Sequence, residues 1–228
     1  MRCEDETMIY FHGTSHAAKH LRHGAWQRGV PIADSPNLAD VIFVSEDTKT
    51  DEQGVRDVEP IRQMVHFLTR FNKQIVLTSQ VPPGFTRSLG MNNIYHQAET
   101  LRIKDAESRA YSPDYIAVGG PQGVSRHYAD YLMAFHCPIL RMTWEEAEFS
   151  KIAVNMFLAA QVDTTNRLAS AAEKVGADWL QVRRALKYDK RIGQEAYLTP
   201  GRWRDSRHLL RDHVTLVDIE NTLCNDLG

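Results

Sequence analysis

Short apolar runs bounded by turn-forming or charged residues recur up to residue 141, at 8–11, 30–33, 40–44, 74–78, 115–118 and 139–141. Runs of four or five residues rich in Ile and Val, without polar alternation, predict strands buried on both faces. Between them, residues 17–26, 58–71 and 125–135 carry apolar positions at helical spacing. Strands alternating with helices predict an α/β fold with a parallel, doubly wound sheet, and ligands then bind at the carboxyl ends of the strands.

The pattern changes at Thr143. Thr143-Trp-Glu-Glu has the form of a capping box, with Thr at the cap and Glu146 three residues on. Behind it runs a helical pattern that Gly176 should stop. A helix of roughly thirty residues is about 45 Å long, and its apolar positions (among them Ile152, Met156, Phe157, Val162 and Leu168) cover more than one face. It is expected to pack on the sheet domain with one side and on a second copy of the chain with the other. A shorter helix follows at 179–186. The expected organisation is a sheet domain over 1–141 and a helical domain over 142–228.

Composition narrows the function classes. The 228 residues, 43% of them hydrophobic, suffice for a real core, and 27 basic against 29 acidic side chains leave no face that would draw nucleic acid. Cys3, Cys137 and Cys224 are far apart, odd in number and without C-x-x-C spacing, which argues for a reducing compartment. Residues 1–7 lack the apolar stretch of a signal peptide and no run is long enough to span a bilayer, so a cytoplasmic protein is expected.

Two clusters are candidates for chemistry. The turn His12-Gly-Thr-Ser-His16 follows the first strand and opens the first helix, so Gly13, Thr14 and Ser15 could hold a phosphate with hydroxyls and backbone N–H groups. Equally, Ser15 could simply cap the helix. His12, His16, His20 and His23 recur at steps of four, four and three. Such spacing can share a metal, but a solvated basic face beside Lys19 and Arg22 accounts for it as well, and no metal site is assigned. Trp26, Trp144, Trp179 and Trp203 read as core or interface residues.

From Val41 onward a series of blocks falls into one order: Ile75-Val-Leu-Thr-Ser-Gln-Val-Pro-Pro-Gly-Phe-Thr86, Tyr95-His-Gln-Ala-Glu-Thr-Leu-Arg102, Pro113-Asp-Tyr-Ile-Ala-Val-Gly119, Ala147-Glu-Phe-Ser-Lys-Ile-Ala-Val-Asn155, Asp189-Lys-Arg-Ile-Gly193 and Pro200-Gly201. Together they resemble the UDP-glucose/GDP-mannose dehydrogenase family. That resemblance implies a trimmed Rossmann-like sheet domain, a long central helix at a homodimer interface, NAD as cofactor and a nucleotide sugar or related small molecule as substrate. It also implies a second Rossmann-like domain, which a chain ending at Gly228 is expected to lack.

The resemblance further assigns roles. Lys151 and Asn155, one helical turn apart, would face the reacting alcohol, Lys151 relaying its proton or holding a developing oxyanion and Asn155 orienting the same oxygen. Glu99 and Arg102 remain from an acidic block whose water-activating glutamate is here Ile103. Ser79 precedes Gln80, which replaces a threonine; both are placed on the cofactor side. The family's catalytic cysteine falls on His208, followed by Arg211 and Asp212, and its glycine loop becomes Trp203, Arg204, Asp205 and Ser206. Without the thiolate no thiohemiacetal can form, so the expected chemistry is at most one hydride transfer. Two alternatives stand beside it: a non-catalytic dimeric scaffold, and non-redox acid/base chemistry by His208 and Asp212, which an i, i+4 spacing brings together if 206–217 is helical.

Overall fold

The computed structural model describes residues 6–225, with side chains as far as Thr222. Cys3, most of the polar stretch 1–7 and the Cys224 side chain lie outside the described residues. The strands are β1 (Ile9–His12), β2 (Val41–Val44), β3 (Lys49–Thr50), β4 (Arg56–Asp57), β5 (Gln74–Leu77), β6 (Ile94–Gln97), β7 (Ile116–Gly119) and β8 (Ile139–Met142). The helices are α1 (His16–Gln27), α2 (Glu59–Leu68), α3 (Phe85–Ser88), α4 (Ala106–Tyr111), α5 (Arg126–Met133), α6 (Trp144–Lys174), α7 (Trp179–Tyr188) and α8 (Arg207–Asn225). None of them is long and apolar enough to cross a membrane.

The chain divides into two compact units, residues 1–49 with 56–151 and residues 50–55 with 152–228. The first is built on a six-stranded sheet of order β1-β2-β5-β6-β7-β8, parallel throughout except for the antiparallel pair β6–β7. Its strands alternate between two cores, as side chains of period two must. Ile9, Phe11, Phe43, Val76, Tyr95 and Val118 pack with Leu21 and Ala25 of α1 and Tyr128 and Tyr131 of α5. Ile42, Val44, Ile75, Leu77 and Ile94 face Ile61, Val65 and Leu68 of α2 and Phe85 of α3. Burying each such side chain contributes roughly 1.5–3 kcal/mol, which is why these short apolar runs become central strands.

Two local differences from the expected pattern have physical causes. The run 30–33 makes only a single parallel bridge, Ile32 beside Ile9 on the side of β1 away from β2. Ile9 N–H donates to Pro31 O at 2.9 Å and Ala33 N–H to Ile9 O at 2.8 Å, but Pro31 has no N–H with which to extend the ladder. Conversely β6 was not expected, because it ends in His96 and Gln97. Both are buried, and Gln97 is satisfied inside by Tyr128 Oη–H at 2.8 Å.

The first turns of α6 belong to the sheet unit. Trp144 Nε1–H donates to Ile94 O at 3.0 Å, and Ala147 is fully buried. The capping box forms in both directions: Thr143 N–H donates to Glu146 Oε2 at 2.7 Å and Glu146 N–H to Thr143 Oγ1 at 3.3 Å. The helix runs 31 residues to Lys174. Gly176, at φ 72°, then closes it, with Ala177 N–H reaching back to Ala172 O at 2.8 Å. In the second unit Ala159 and Val162 of α6 pack on Trp203. Asn166 brackets Gly201 with two hydrogen bonds, Nδ2–H to Gly201 O at 2.8 Å and Gly201 N–H to Oδ1 at 2.9 Å.

Candidate functional site

The connections leaving β1 determine where a ligand can lie. α1 carries the chain to Ile32 on one side of β1, and from there it crosses to β2 on the other. This is a topological switch point, and in an open α/β sheet a crevice forms there, outside the carboxyl end of the central strand. Gly13 occupies that end with φ 132°, a conformation other residues rarely adopt. A Cβ on it would fall onto the Ser45 carbonyl oxygen and meet the Ala18 side chain at 3.4 Å.

Both readings of the neighbouring serine turn on where its hydroxyl goes. Ser15 Oγ accepts from Ala18 N at 3.0 Å, capping α1, and donates to Ser45 O at 2.6 Å. The hydroxyl is therefore committed inward, and Thr14 is left exposed above it. Ala18, buried against Gly13, stands where close helix–strand packing calls for Gly or Ala. The Ser45 hydroxyl, buried at the end of β2, has no hydrogen-bond partner among the described residues.

One acid here escaped the sequence reading. Asp34 follows the Ile32 bridge directly and is exposed. A carboxylate about 20 residues beyond the first glycine, at the end of the strand beside β1, is the position from which a dinucleotide-binding fold reaches a ribose hydroxyl. The spacing from Gly13 was the available signal, obscured because the intervening strand shrinks to one bridge.

The loops after β5 and β6 bring three of the expected residues together. Glu46 N–H donates to Ser79 Oγ at 2.9 Å, Thr48 Oγ1–H to Gln80 O at 3.1 Å, and Gln80 Nε2–H to Glu99 Oε2 at 3.1 Å. The other Glu99 oxygen accepts from the Leu101 N–H. Arg102, by contrast, turns to Asp105. A small concavity lined by Leu21, Gln97, Arg109, Tyr115 and Tyr131 includes Glu99 but neither Gly13 nor Lys151.

Glu148 is a second residue the sequence reading passed over. It is 2% exposed and accepts from Gly84 N at 2.6 Å and Thr86 N at 2.8 Å. Burial pushes its carboxyl pKa up, against the hydrogen bonds from Thr86 and Gly84. It thereby ties α6, three residues before Lys151, to the loop that follows Gln80. An acid beside Ala147 on the apolar side of a helix was the only sign of it.

Lys151 is half-buried on α6. One turn on, Asn155 is buried and donates from Nδ2 to Asp212 Oδ2 at 2.5 Å. Asp212 is wholly buried, and its Oδ1 lies 3.2 Å from Arg211 Nε, itself 5% exposed. His208 sits exposed one turn before Asp212 on α8. Trp203 fills the space against α6, with an indole N–H that finds no partner among the described residues. Arg204 lies over its ring at 4.2 Å. Among the residues whose side chains are described Cys137 is the only cysteine, and burial raises its thiol pKa.

The histidine series does not survive as a ladder, because the turn at Gly13 separates His12, on β1, from the helix. His16 and His20 meet, Nε2 to Nε2 at 3.1 Å, whereas His23 lies 3.5 Å from Glu107 and stacks on Trp26. Desolvation, then the His16 and His23 charges, lower the His20 pKa, with Glu107 opposing.

Comparison with known proteins gives this geometry a context. Residues 145–223 match the model of the UDP-glucose/GDP-mannose dehydrogenase family, central domain. The chain is 27% identical over 218 residues to UDP-glucose 6-dehydrogenase of Drosophila melanogaster, covering 84% of this chain and 46% of that protein. It is 26% identical over 203 residues to the UDP-glucose 6-dehydrogenase YwqF of Bacillus subtilis, covering 82% of this chain and 46% of that protein. It thus spans about half the length of the curated relatives it matches. A UDP-glucose dehydrogenase from the hyperthermophilic archaeon Pyrobaculum islandicum shares the fold with a TM-score of 0.73 at 19% identity, over 98% of this chain and 66% of that one.

Proposed function

We propose that the chain, which resembles the UDP-glucose/GDP-mannose dehydrogenase family, is a nucleotide-sugar dehydrogenase-like oxidoreductase limited to one NAD-dependent hydride transfer. The observation that carries this reading is the glycine turn at the end of β1. Gly13 is required there by its φ and by the nearness of Ser45, the Ser45 hydroxyl is unspent, and Asp34 stands at the adjacent edge. These residues fit a dinucleotide: the backbone of 13–16 and Thr14 would meet the phosphates at the α1 N-terminus, and Asp34 would accept from a ribose hydroxyl. Ser79 and Gln80 line the cofactor side, with Glu99 holding Gln80 in place.

A bound nicotinamide would supply the hydride acceptor. Lys151 would take the alcohol proton, and Asn155, one N–H of whose amide goes to Asp212, keeps a second N–H as a donor. Oxidation stops at the carbonyl, because His208 stands where the resemblance places the thiolate and Ile103 where it places the water-activating acid. NADH titration by fluorescence or calorimetry is the test. Saturable binding that Asp34→Ala and Gly13→Ala both abolish supports the reading; no binding at millimolar NADH and NAD removes it and leaves a non-catalytic scaffold.

A dimer belongs to the same proposal. Phe157 and Leu168 are 73% and 45% exposed on α6, and Val175, just past its last residue, is 80% exposed. A step of eleven residues is close to three turns and puts Phe157 and Leu168 along one line of the helix. An apolar stripe of this kind fits a second copy of the chain. Sedimentation should give a dimer that Phe157→Asp converts to monomer.

A further inference from the structure

His16 and His20 lie on the first turns of α1, their rings tilted by 56° with centroids 4.3 Å apart. Their Nε2 atoms face one another at 3.1 Å. Two nitrogens bound at about 2.1 Å to one ion are about 3.0 Å apart at a right angle and about 3.4 Å at the tetrahedral angle. The observed separation is closer to the right angle. To take an ion the hydrogen bond must open: the ring that donates through Nε2–H shifts its proton to Nδ1, and the rings turn so that both lone pairs converge on the metal. We propose that His16 and His20 form a two-point chelate for a borderline divalent transition metal, Cu(II) or Ni(II) before Zn(II), in tetragonal or octahedral geometry.

His16 is exposed and His20 half-buried, so the outward positions of the ion are open to water. Among the described residues no group of three His, Cys, Asp or Glu side chains could hold a metal. Water therefore completes the shell, and affinity falls in the micromolar range, weaker than a closed structural site. His23 takes no part, being engaged with Glu107 and Trp26. Hard ions such as Mg(II), which prefer oxygen, are not held.

Calorimetric titration of the tag-free, full chain with Ni(II) tests the site, with His16→Gln, His20→Gln and His23→Gln run in parallel. All three positions are solvent-accessible, and thermal melts will confirm that the variants fold. The expected result is one Ni(II) per chain, with affinity lowered roughly tenfold or more by either His16→Gln or His20→Gln, since each leaves a single imidazole. His23→Gln should leave it unchanged. Unaltered affinity in His20→Gln, loss of binding in His23→Gln, or no saturable binding below millimolar Ni(II) would each overturn the proposal.

Discussion

The end of β1 and the loop before α8 differ in how they are filled. At β1 Gly13 sits where only glycine fits, Ala18 packs behind it, and Asp34 follows the neighbouring bridge. In the loop, Trp203 is buried on Ala159 and Val162, and the polar groups behind it bond to one another, Asn155 to Asp212 to Arg211. The first region is a backbone turn at the end of a strand, with a buried hydroxyl beside it; the second is packed side chains. They lie in different compact units, so mutations should be able to separate the proposed cofactor end from the Trp203 region.

The largest effect should come from Asp212→Ala. It leaves the Arg211 guanidinium buried without its carboxylate, at a cost of about 3–5 kcal/mol in chemical denaturation. A loss below 1 kcal/mol would mean that the polar cluster is not the core it is taken for. Asp212→Asn, which keeps an oxygen for Asn155, should cost less.

Acid should act on the sheet unit. Burial holds the His96 imidazole at a pKa of about 3. The unfolded chain binds a proton near pH 6.5 that the folded state refuses, so stability is lost as pH falls below 6.5 and the loss continues towards pH 3. At about 1.4 kcal/mol per pH unit, the loss between pH 6.5 and 4 is roughly 3 kcal/mol. His96→Leu should flatten that slope in urea melts at stepped pH; an unchanged slope would assign acid sensitivity elsewhere.

Gly13→Ala and Trp203→Phe set the two regions directly against each other. The first should cost about 2 kcal/mol through strain at positive φ and contact with Ser45, and should abolish NADH binding. The second should cost only about 1 kcal/mol, since the indole N–H has no partner to lose, and should leave NADH binding intact. If Trp203→Phe weakens NADH as much as Gly13→Ala does, the two regions are not separable. The smallest expected effect is from His208→Cys: restoring a thiol should produce no acid from any sugar nucleotide, because Ile103 cannot activate water. Acid formation by that variant, detected by mass, would contradict the assignment.

Much of this was legible in the residues themselves. The short apolar runs specify β1, β2, β5 and β7 because such a run finds its burial inside a sheet. Thr143 with Glu146, and Gly176, mark the ends of α6 because caps are local chemistry between residues three to five apart. Lys151 and Asn155 were readable as a pair for the same reason. The strand β6 was not, since Gln97 at its polar end is buried against Tyr128, which lies 31 positions away.

Sequence by itself therefore determined most of the elements and the family resemblance, both of which depend on residue identity and short-range spacing. Tertiary structure decided the rest. It turned the Ser15 hydroxyl inward, set Ile32 beside Ile9 two residues before Asp34, and paired Asn155 with Asp212 across 57 residues. The hydrogen bonds and burial that assign those roles form between segments distant in the chain, and no local pattern encodes which distant partner a polar side chain will meet.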